Sequence, residues 1–477
     1  MRSKKYRVTL IILGILLVAT ISIGISYSYW KKTHQQISRN EIKSGCLEIK
    51  FEELTNSISL TNSYPMAAEN AENLTPYRFK ITNICTIAAK YHVTLNTLNI
   101  QKSIANENVR VSILPYGLFS AGETINNLKI NPDTGSLNNS NLKESYLVDS
   151  GYLGVNDDVT YDAYIWIDEN AGNEIMGQSF EASIDVISVA TPTLSTIRKA
   201  TTTTSPLIAG HSSVFVSGRG NVSLLNRIRS VEFVDSNIVP SNVLDSWDVS
   251  QAQDGSIMVW VETNGTCGTA ACVALKLYVG QEGGVIANQD SSYLFYGFRL
   301  LDNVKLNYLD TSLAKNMNYM FYNAHRYEYG VRYSLNLNTS NVLTMEGMFH
   351  GVGNIMSFYN SVTLSFGENF DTSKVVNMKS MFSEIGRFKV DLNFNDKFTL
   401  NKVYDASYMF NNTAKSADNL VLNLRTMAFN DIVKHKDMFG SSKTTTTIYV
   451  KDTQAATWIR ERGYIGSIID CSLNTCP

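Results

Sequence analysis

The sequence is short of charge and has no excess of either sign. Charged residues are 18% of the 477 residues, against about a quarter in an average soluble protein. Lys+Arg 41 against Asp+Glu 43 gives a formal charge of -2, which excludes attraction to nucleic acid or to an anionic membrane by an overall field. The apolar share is an ordinary 44%, so the chain should fold, and at roughly 100–200 residues per domain it has room for several domains.

The sequence also lacks the short motifs that mark common catalytic sites. It has no H-E-x-x-H, no G-x-S-x-G, no phosphate-binding G-x-x-x-x-G-K and no dinucleotide fingerprint. The histidines are scattered, at His34, His92, His211, His325, His350 and His435. We therefore expect no enzyme, no catalytic residue and no bound cofactor or metal. A secreted hydrolase whose site assembles only in the folded chain is the weakest of three functional hypotheses.

An apolar run near the N-terminus predicts export. The run from Val8 to Trp30 has 23 residues and no charge, and as a helix it would span a hydrocarbon core of about 30 Å. Basic residues precede it, which places the rest of the chain outside. Gly24 and Ser26 are small residues of the kind found at cleavage sites, so residues 1–30 are either a transmembrane anchor or a cleaved signal peptide. The protein is then anchored at the cell surface by residues 8–30 or secreted.

Outside the reducing cytosol, an even number of cysteines predicts disulfides. The six candidates are Cys46, Cys85, Cys267, Cys272, Cys471 and Cys476. The pairs at 267/272 and 471/476 are each five residues apart, which suits two small clamped loops, but the sequence does not fix the pairing. Zinc is the alternative, and these spacings fit zinc ligands poorly. Unpaired buried thiols are the third possibility.

Alternating apolar and polar residues predict a chain that is mainly β with short helices. Residues 44–190 alternate in short bursts separated by turn clusters, which is typical of an antiparallel β-sandwich. Residues 191–207 are rich in Thr, Ser and Pro and predict an exposed linker. Strand patterns return in 208–289, a β-rich lead-in to repeats that occupy 290–450, and 451–477 form a C-terminal cap and tail.

A Met-Phe pair recurs through the C-terminal half. The pairs are Met320-Phe321, Met348-Phe349, Met381-Phe382, Met409-Phe410 and Met438-Phe439, with Leu294-Phe295 as an imperfect first copy. Successive methionines are 28, 33, 28 and 29 residues apart, and mostly apolar residues stand six and three positions before each Met. These offsets place one apolar side on a short helical or 3₁₀ turn. A strand-like alternation precedes each turn, so each unit predicts one strand and one turn whose apolar side is buried by stacking, as in a solenoid. We expect the methionines to pack rather than to bind a ligand.

The repeats resemble the leucine-rich repeats of BspA-family bacterial surface proteins. The resemblance is carried by Asp371-Thr-Ser-Lys-Val-Val-Asn-Met-Lys-Ser-Met-Phe, by its companion beginning Asn338-Thr-Ser, and by Ser246-Trp-Asp-Val-Ser, and it covers roughly residues 230 to 460. The units are longer than the common repeat, and the last two lose the Asp-Thr-Ser triplet. The resemblance implies a leucine-rich-repeat-like solenoid and a bacterial surface protein that adheres to proteins or cells. More weakly, the N-terminal half, with Tyr164-Ile-Trp-Ile-Asp-Glu-Asn, resembles the TasA/camelysin-type exported β-sandwich proteins, some of which form matrix fibres.

These features predict an adhesin-like binding protein that contacts host or bacterial surface proteins or glycans through a face of the repeats. The possible contact loop contains the side chains that commonly anchor interfaces, namely Arg326, Tyr327, Tyr329, Arg332 and Tyr333. The alternative for this loop is that its rings pack back on the unit below. The alternative function, from another class, is a structural matrix subunit that polymerises through the edge strands of the sandwich.

Overall fold

The computed structural model describes residues 28–30, 49–55, 64–98, 103–131, 142–191, 194–209, 214–217, 220–266, 273–325, 330–354, 361–387, 389–414, 420–429, 432–440 and 446–476. Strands dominate this part of the chain. The α-helices within it are α1 (Ala68–Ala71) and α2 (Thr453–Glu461). Single 3₁₀ turns occur at Asn106–Asn108, Ile125–Asn127, Asn173–Ile175 and Leu224–Asn226.

The N-terminal half folds into two five-stranded sheets packed face to face. In sheet order, the first contains β1 (Ser28–Trp30), β10 (Phe180–Ala190), β4 (Ala89–Leu98), β8 (Leu142–Leu153) and β7 (Lys129–Ile130). The second contains β2 (Ile49–Glu53), β3 (Tyr77–Asn83), β9 (Asp158–Ile167), β5 (Val109–Pro115) and β6 (Glu123–Thr124). We call these two sheets the sandwich. All pairs in it are antiparallel except β1 with β10.

The alternation of β3 shows why the sandwich forms. Tyr77, Phe79 and Ile81 point inward and are buried, and the residues between them are half-exposed. The ring of Phe79 stacks on Tyr161 of β9 at 5.2 Å. One apolar face per strand is what two packed antiparallel sheets require.

The predicted membrane or signal helix is wrong at its C-terminal end, where the chain forms a strand. Residues 1–27 lie outside the described residues. Ser28–Trp30, the last three residues of the predicted span, form β1 and pair in parallel with Phe180–Ala182. Aromatic residues such as Tyr29 and Trp30 favour a strand.

In the described part of the chain, every helix is too short or too polar to cross a membrane.

A mixed sheet joins the sandwich to the repeats. In sheet order it contains β14 (Asp245–Asp248), β15 (Met258–Thr266), β16 (Val273–Gly280), β13 (Ile228–Val234) and β18 (Asn303–Lys305). The first three strands are antiparallel, whereas β13 is parallel to both of its neighbours. A small hairpin of β11 (Val214–Ser217) and β12 (Gly220–Ser223) precedes it.

The segment predicted as an exposed linker is built into the second core. Ile197 and Leu207 are fully buried, and the indole of Trp247 donates a hydrogen bond to the carbonyl of Leu207 at 2.7 Å. The prediction of exposure for residues 191–207 is wrong at these positions, because composition alone does not show that a few apolar residues among threonines fill a core.

The repeats contribute short parallel strands. β17 (Val285–Ile286) pairs with β19 (Leu309–Asp310). One three-stranded sheet contains β20 (Val331–Leu335), β21 (Ser361–Phe366) and β22 (Lys389–Asn393). A second three-stranded sheet contains β23 (Val421–Leu424), β24 (Thr447–Val450) and β25 (Ser467–Asp470). Every phenylalanine of a Met-Phe pair is buried in one continuous core. Phe382 stacks on Phe349 at 5.7 Å and on Phe410 at 5.5 Å. The predicted packing of the Met-Phe pairs is therefore confirmed, and we call this part of the chain the repeat stack.

The predicted fold class, a membrane helix followed by an antiparallel sandwich and a leucine-rich-repeat-like solenoid, is wrong. The central sheet is mixed, and the parallel strands of the repeats form separate two- and three-stranded sheets instead of one continuous sheet. One three-stranded sheet ends at β22 and the next begins at β23, so the strands of successive units do not form an unbroken ladder.

The Met-Phe turns are not helical either. The residue before each Met has a left-handed backbone, with φ of 56° at Tyr319, 58° at Gly347 and 55° at Ser380, and one such residue ends a helix. Hydrogen bonds instead join successive units, as from Phe321 N to Met348 O at 2.8 Å and onward through each turn. The repeat stack therefore has hydrogen-bonded backbone both at its strands and at its turns.

Candidate contact surface

The predicted contact loop divides into described and undescribed residues. Arg326, Tyr327 and Tyr329 lie outside the described residues. Arg332 is on β20 with its side chain exposed, whereas Tyr333, the next residue, points inward and is buried. The Tyr333 ring lies 5.4 Å from that of Phe321, its hydroxyl donates to the carbonyl of Leu301 at 2.6 Å, and burial raises its pKa. Tyr333 belongs to the core, so it adds nothing to a contact surface.

A different set of aromatic side chains lines the turn edge of the repeat stack. Tyr293 stacks on Tyr319 with ring centroids 5.4 Å apart. Beside them, Tyr296 stacks on Tyr322 at 5.2 Å, and Tyr322 stacks on His350 at 4.8 Å. All five side chains are half-buried. We call these two rows the aromatic columns.

The backbone of the turns creates the columns. One column occupies the position immediately before Met, and the second column occupies the position two residues after Met. Equivalent side chains of successive units therefore lie side by side with their rings stacked. Gly347 continues the first column without a ring, and a Cβ built on it would lie 2.5 Å from Cε1 of Tyr319. The first column therefore ends against the Gly347 backbone.

The polar atoms of the columns are mostly uncharged. The hydroxyl of Tyr319 donates to Oε1 of Glu346 at 2.7 Å, and burial, followed by this hydrogen bond, raises the pKa of Tyr319. Lys379 Nζ lies 3.3 Å from the same carboxylate. Burial lowers the pKa of His350, so its imidazole is neutral at pH 7. The surface offers rings, hydroxyls and one balanced ion pair.

A small open cavity lies at the N-terminal end of the columns. Its volume is about 160 Å³, and it is lined by Leu225, Asn226, Tyr296, Gly297, Arg299 and Asn323. The amide of Gly297 donates to Tyr322 O at 2.9 Å and that of Arg299 to Leu225 O at 3.0 Å, so the backbone around the cavity is held on both sides.

The sandwich covers another side of the repeat stack, at the positions five residues before Met320 and Met409. Lys315 Nζ forms an ion pair with Asp149 of β8, which also accepts a hydrogen bond from Tyr161 at 2.5 Å. Farther along, Tyr404 packs edge-on against Phe119 of the sandwich at 5.1 Å. The chain itself thus occupies this side of the repeats.

Ion pairs flank this internal interface. Lys402 pairs with Glu123 and Lys434 with Glu72, while the hydroxyl of Tyr404 donates to Glu72 at 3.0 Å. Burial and the neighbouring Glu72 carboxylate raise the pKa of Tyr404. Charges of opposite sign therefore meet along the contact between the sandwich and the repeat stack.

The cysteine predictions are settled in part. Cys471 and Cys476 form a disulfide, and Cys85 is disulfide-bonded. Cys46, Cys267 and Cys272 lie outside the described residues. Across the described ranges, His, Cys, Asp and Glu nowhere form a group of three that could hold a metal ion.

Sequence reasoning missed the aromatic columns, although a signal was present. Tyr293 and Tyr296, like Tyr319 and Tyr322, flank the 0 and +1 positions of their units at offsets of −1 and +2. Repeated aromatic residues just outside an apolar pair mark a second, partly exposed row beside the core.

Comparison with known proteins finds a match for the repeat region only. Residues 289–426 and 335–450 match the model of a family described as "Mycoplasma protein of unknown function, DUF285". The two overlapping matches cover less than half of the chain and lie within its C-terminal part. No curated protein and no solved structure matches the sequence.

Proposed function

We propose that the chain is an exported bacterial binding protein that attaches to surface proteins or glycans through the aromatic columns. The observation that carries the proposal is the pair of stacked, half-buried rows that contain Tyr293, Tyr319, Tyr296, Tyr322 and His350. Tyrosine supplies a large, rigid contact area at a low cost in side-chain entropy, and it is enriched where proteins bind partners.

The location of the columns supports this choice of face. The sandwich already covers the side that carries Lys315 and Tyr404, and the strands bury their inward residues in the core. The turn edge keeps four tyrosines partly exposed in successive units. A row of this kind spreads contact over several units, as in other repeat proteins.

The resemblance to BspA-family surface proteins agrees with the same proposal. The disulfide between Cys471 and Cys476 is compatible with an oxidising compartment. The near-neutral charge of -2 favours recognition by shape and hydrogen bonds over long-range steering.

The test uses residues 28–477, which contain every described residue, coupled to beads. Attachment to bacterial cells and to extracellular-matrix proteins is counted for the wild type, for the Tyr319→Ala/Tyr322→Ala variant, and for Tyr408→Ala. Tyr408 is the matched control because it is a half-buried tyrosine before a Met in a later unit, outside the columns. We expect attachment to fall by about tenfold or more in the double variant, equivalent to at least 1.4 kcal/mol, and to persist in the control. Wild-type beads that attach no better than uncoated beads would refute the proposal.

A matrix subunit is the second candidate, and the edge of β10 favours it. In the described part of the chain, β1 pairs with residues 180–182 of this strand, and its outer edge from Ser183 to Ala190 has no strand beside it. An open edge of this length can accept a strand from another copy. Electron microscopy of residues 28–477 tests this candidate, which requires fibres, whereas the binding proposal requires none.

A further inference from the structure

We infer that the cavity beside Tyr296 binds a single sugar ring at the end of a glycan. This inference rests on the proposed binding function and names its ligand class. The cavity opens where the aromatic columns begin, so a ligand in it would lie next to the surface that the proposed function uses.

The size of the cavity limits the ligand. Pockets for drug-sized molecules have volumes of roughly 300–1,000 Å³, and this one holds about 160 Å³. A single pyranose ring with its hydroxyls fits a space of that size, whereas a nucleotide or a folded peptide segment does not. A terminal sugar can enter from solvent while the rest of the glycan stays outside.

The ring of Tyr296 supplies the apolar wall. It is the first ring of its column, so within the column it is covered on one face only, by Tyr322 at 5.2 Å. Gly297 follows with φ of 72° and has no side chain to fill the space in front of Leu225. One side of a pyranose carries mainly C–H groups, and these pack against an aromatic or aliphatic wall.

The remaining lining residues match the hydroxyl rim of a sugar. The side-chain amides of Asn226 and Asn323 can each donate and accept hydrogen bonds. A sugar hydroxyl also donates and accepts, so amides are suitable partners. Among the described residues that line the cavity none is acidic, which disfavours a metal ion or a cationic ligand.

Saturation-transfer NMR on residues 28–477 tests the inference, with the methyl glycosides of glucose, galactose, mannose, fucose and N-acetylglucosamine as probes. We expect saturation of at least one probe and weakening of its binding by about tenfold in Tyr296→Ala and in Asn226→Ala. Asn226 is exposed, so its variant keeps the fold even where Tyr296→Ala does not. Tyr408→Ala should bind like the wild type. Absence of saturation for every probe, or equal binding by the wild type and Asn226→Ala, would overturn the inference.

Bead attachment separates this inference from the proposed function. Attachment that the bound glycoside inhibits, and that Asn226→Ala weakens, supports both. Attachment that persists in saturating glycoside and in Asn226→Ala refutes the sugar site and leaves the binding function standing.

Discussion

Lys315 of the repeat stack and Asp149 of the sandwich form an ion pair that joins the two halves of the chain. The Lys315 side chain is 8% exposed and that of Asp149 is 18% exposed. Burial lowers the pKa of Lys315, and Asp149 opposes the shift. Next to the pair, Gln289 donates to the hydroxyl of Tyr91 at 2.9 Å, so the junction is a connected polar network in an apolar setting.

Replacement of Lys315 by Met should therefore lower the free energy of unfolding by about 3 kcal/mol, because it leaves the Asp149 charge in a mostly buried site without its partner. Urea denaturation measures the change. Lys402→Met is the matched control: its pair with Glu123 is 51% and 44% exposed, and its loss should cost about 0–1 kcal/mol. Equal losses in the two variants would contradict the account of the junction.

Phe382→Ala should lower the free energy of unfolding by about 3–5 kcal/mol, since the ring is fully buried between two others and leaves a cavity. Arg332→Ala, an exposed change on β20, should stay within about 0.5 kcal/mol. Circular dichroism during urea titration gives both values. A small effect of Phe382→Ala would mean that the stacked rings do not form the core.

The left-handed residue before each Met gives a paired prediction. Gly347→Ala should lower the free energy of unfolding by about 1–3 kcal/mol, because a Cβ is strained at φ of 58° and meets the Tyr319 ring at 2.5 Å. Ser380→Gly, at the equivalent position with φ of 55°, should raise it by up to about 1 kcal/mol. Thermal melts of the two variants would show shifts of opposite sign. Shifts of the same sign would exclude a shared backbone conformation.

Asp185 makes stability depend on pH. Burial raises its pKa to about 6 from 3.8, although Asn96 donates to it at 2.8 Å and opposes the shift. The unfolded chain loses this proton first, so the free energy of unfolding falls as pH rises from about 4 to about 6 and stays lower above that range. Asp185→Asn should remove this pH-dependent fall in the free energy of unfolding.

The measurement for Asp185 is a set of thermal melts from pH 4 to pH 7. The side chain is partly exposed, so we expect Asp185→Asn to be more stable than the wild type by about 1–2 kcal/mol at pH 7 and by little at pH 4. A difference that does not change across this range would show that Asp185 ionises normally.

The sequence predicted the parts of this fold that depend on repeated apolar residues. Phe349 and Phe382 stand at the same offset in their units and are fully buried. The left-handed turns could not be predicted from the offsets, because a spacing of three suits both a 3₁₀ turn and the observed turn. The side of the repeat stack that packs against the sandwich could not be predicted either. Lys315 and Tyr404 occupy equivalent positions but differ in charge and size, so no sequence pattern marks them as one surface.

Of the predicted contact-loop residues that the structure describes, Arg332 is exposed and Tyr333 is buried. Tyrosine and arginine near a Met-Phe turn suggested a binding edge, yet Tyr333 lies in the core, and Tyr319 and Tyr322 lie on the surface. Alternation within β20 decides the first case, since every second residue of that strand points inward. The backbone conformation of the turns places Tyr319 and Tyr322 on the surface, and that conformation cannot be predicted from a single sequence.

The most direct test of the proposed binding edge is hydrogen–deuterium exchange of residues 28–477, free and bound to the cells or matrix protein to which the beads attach. The account predicts that binding slows exchange in residues 293–297, 319–323 and 347–351, which carry the aromatic columns, and leaves β20, β21 and β22 unchanged. Protection confined to those strands or to the sandwich, with the three turn segments unaffected, would contradict it.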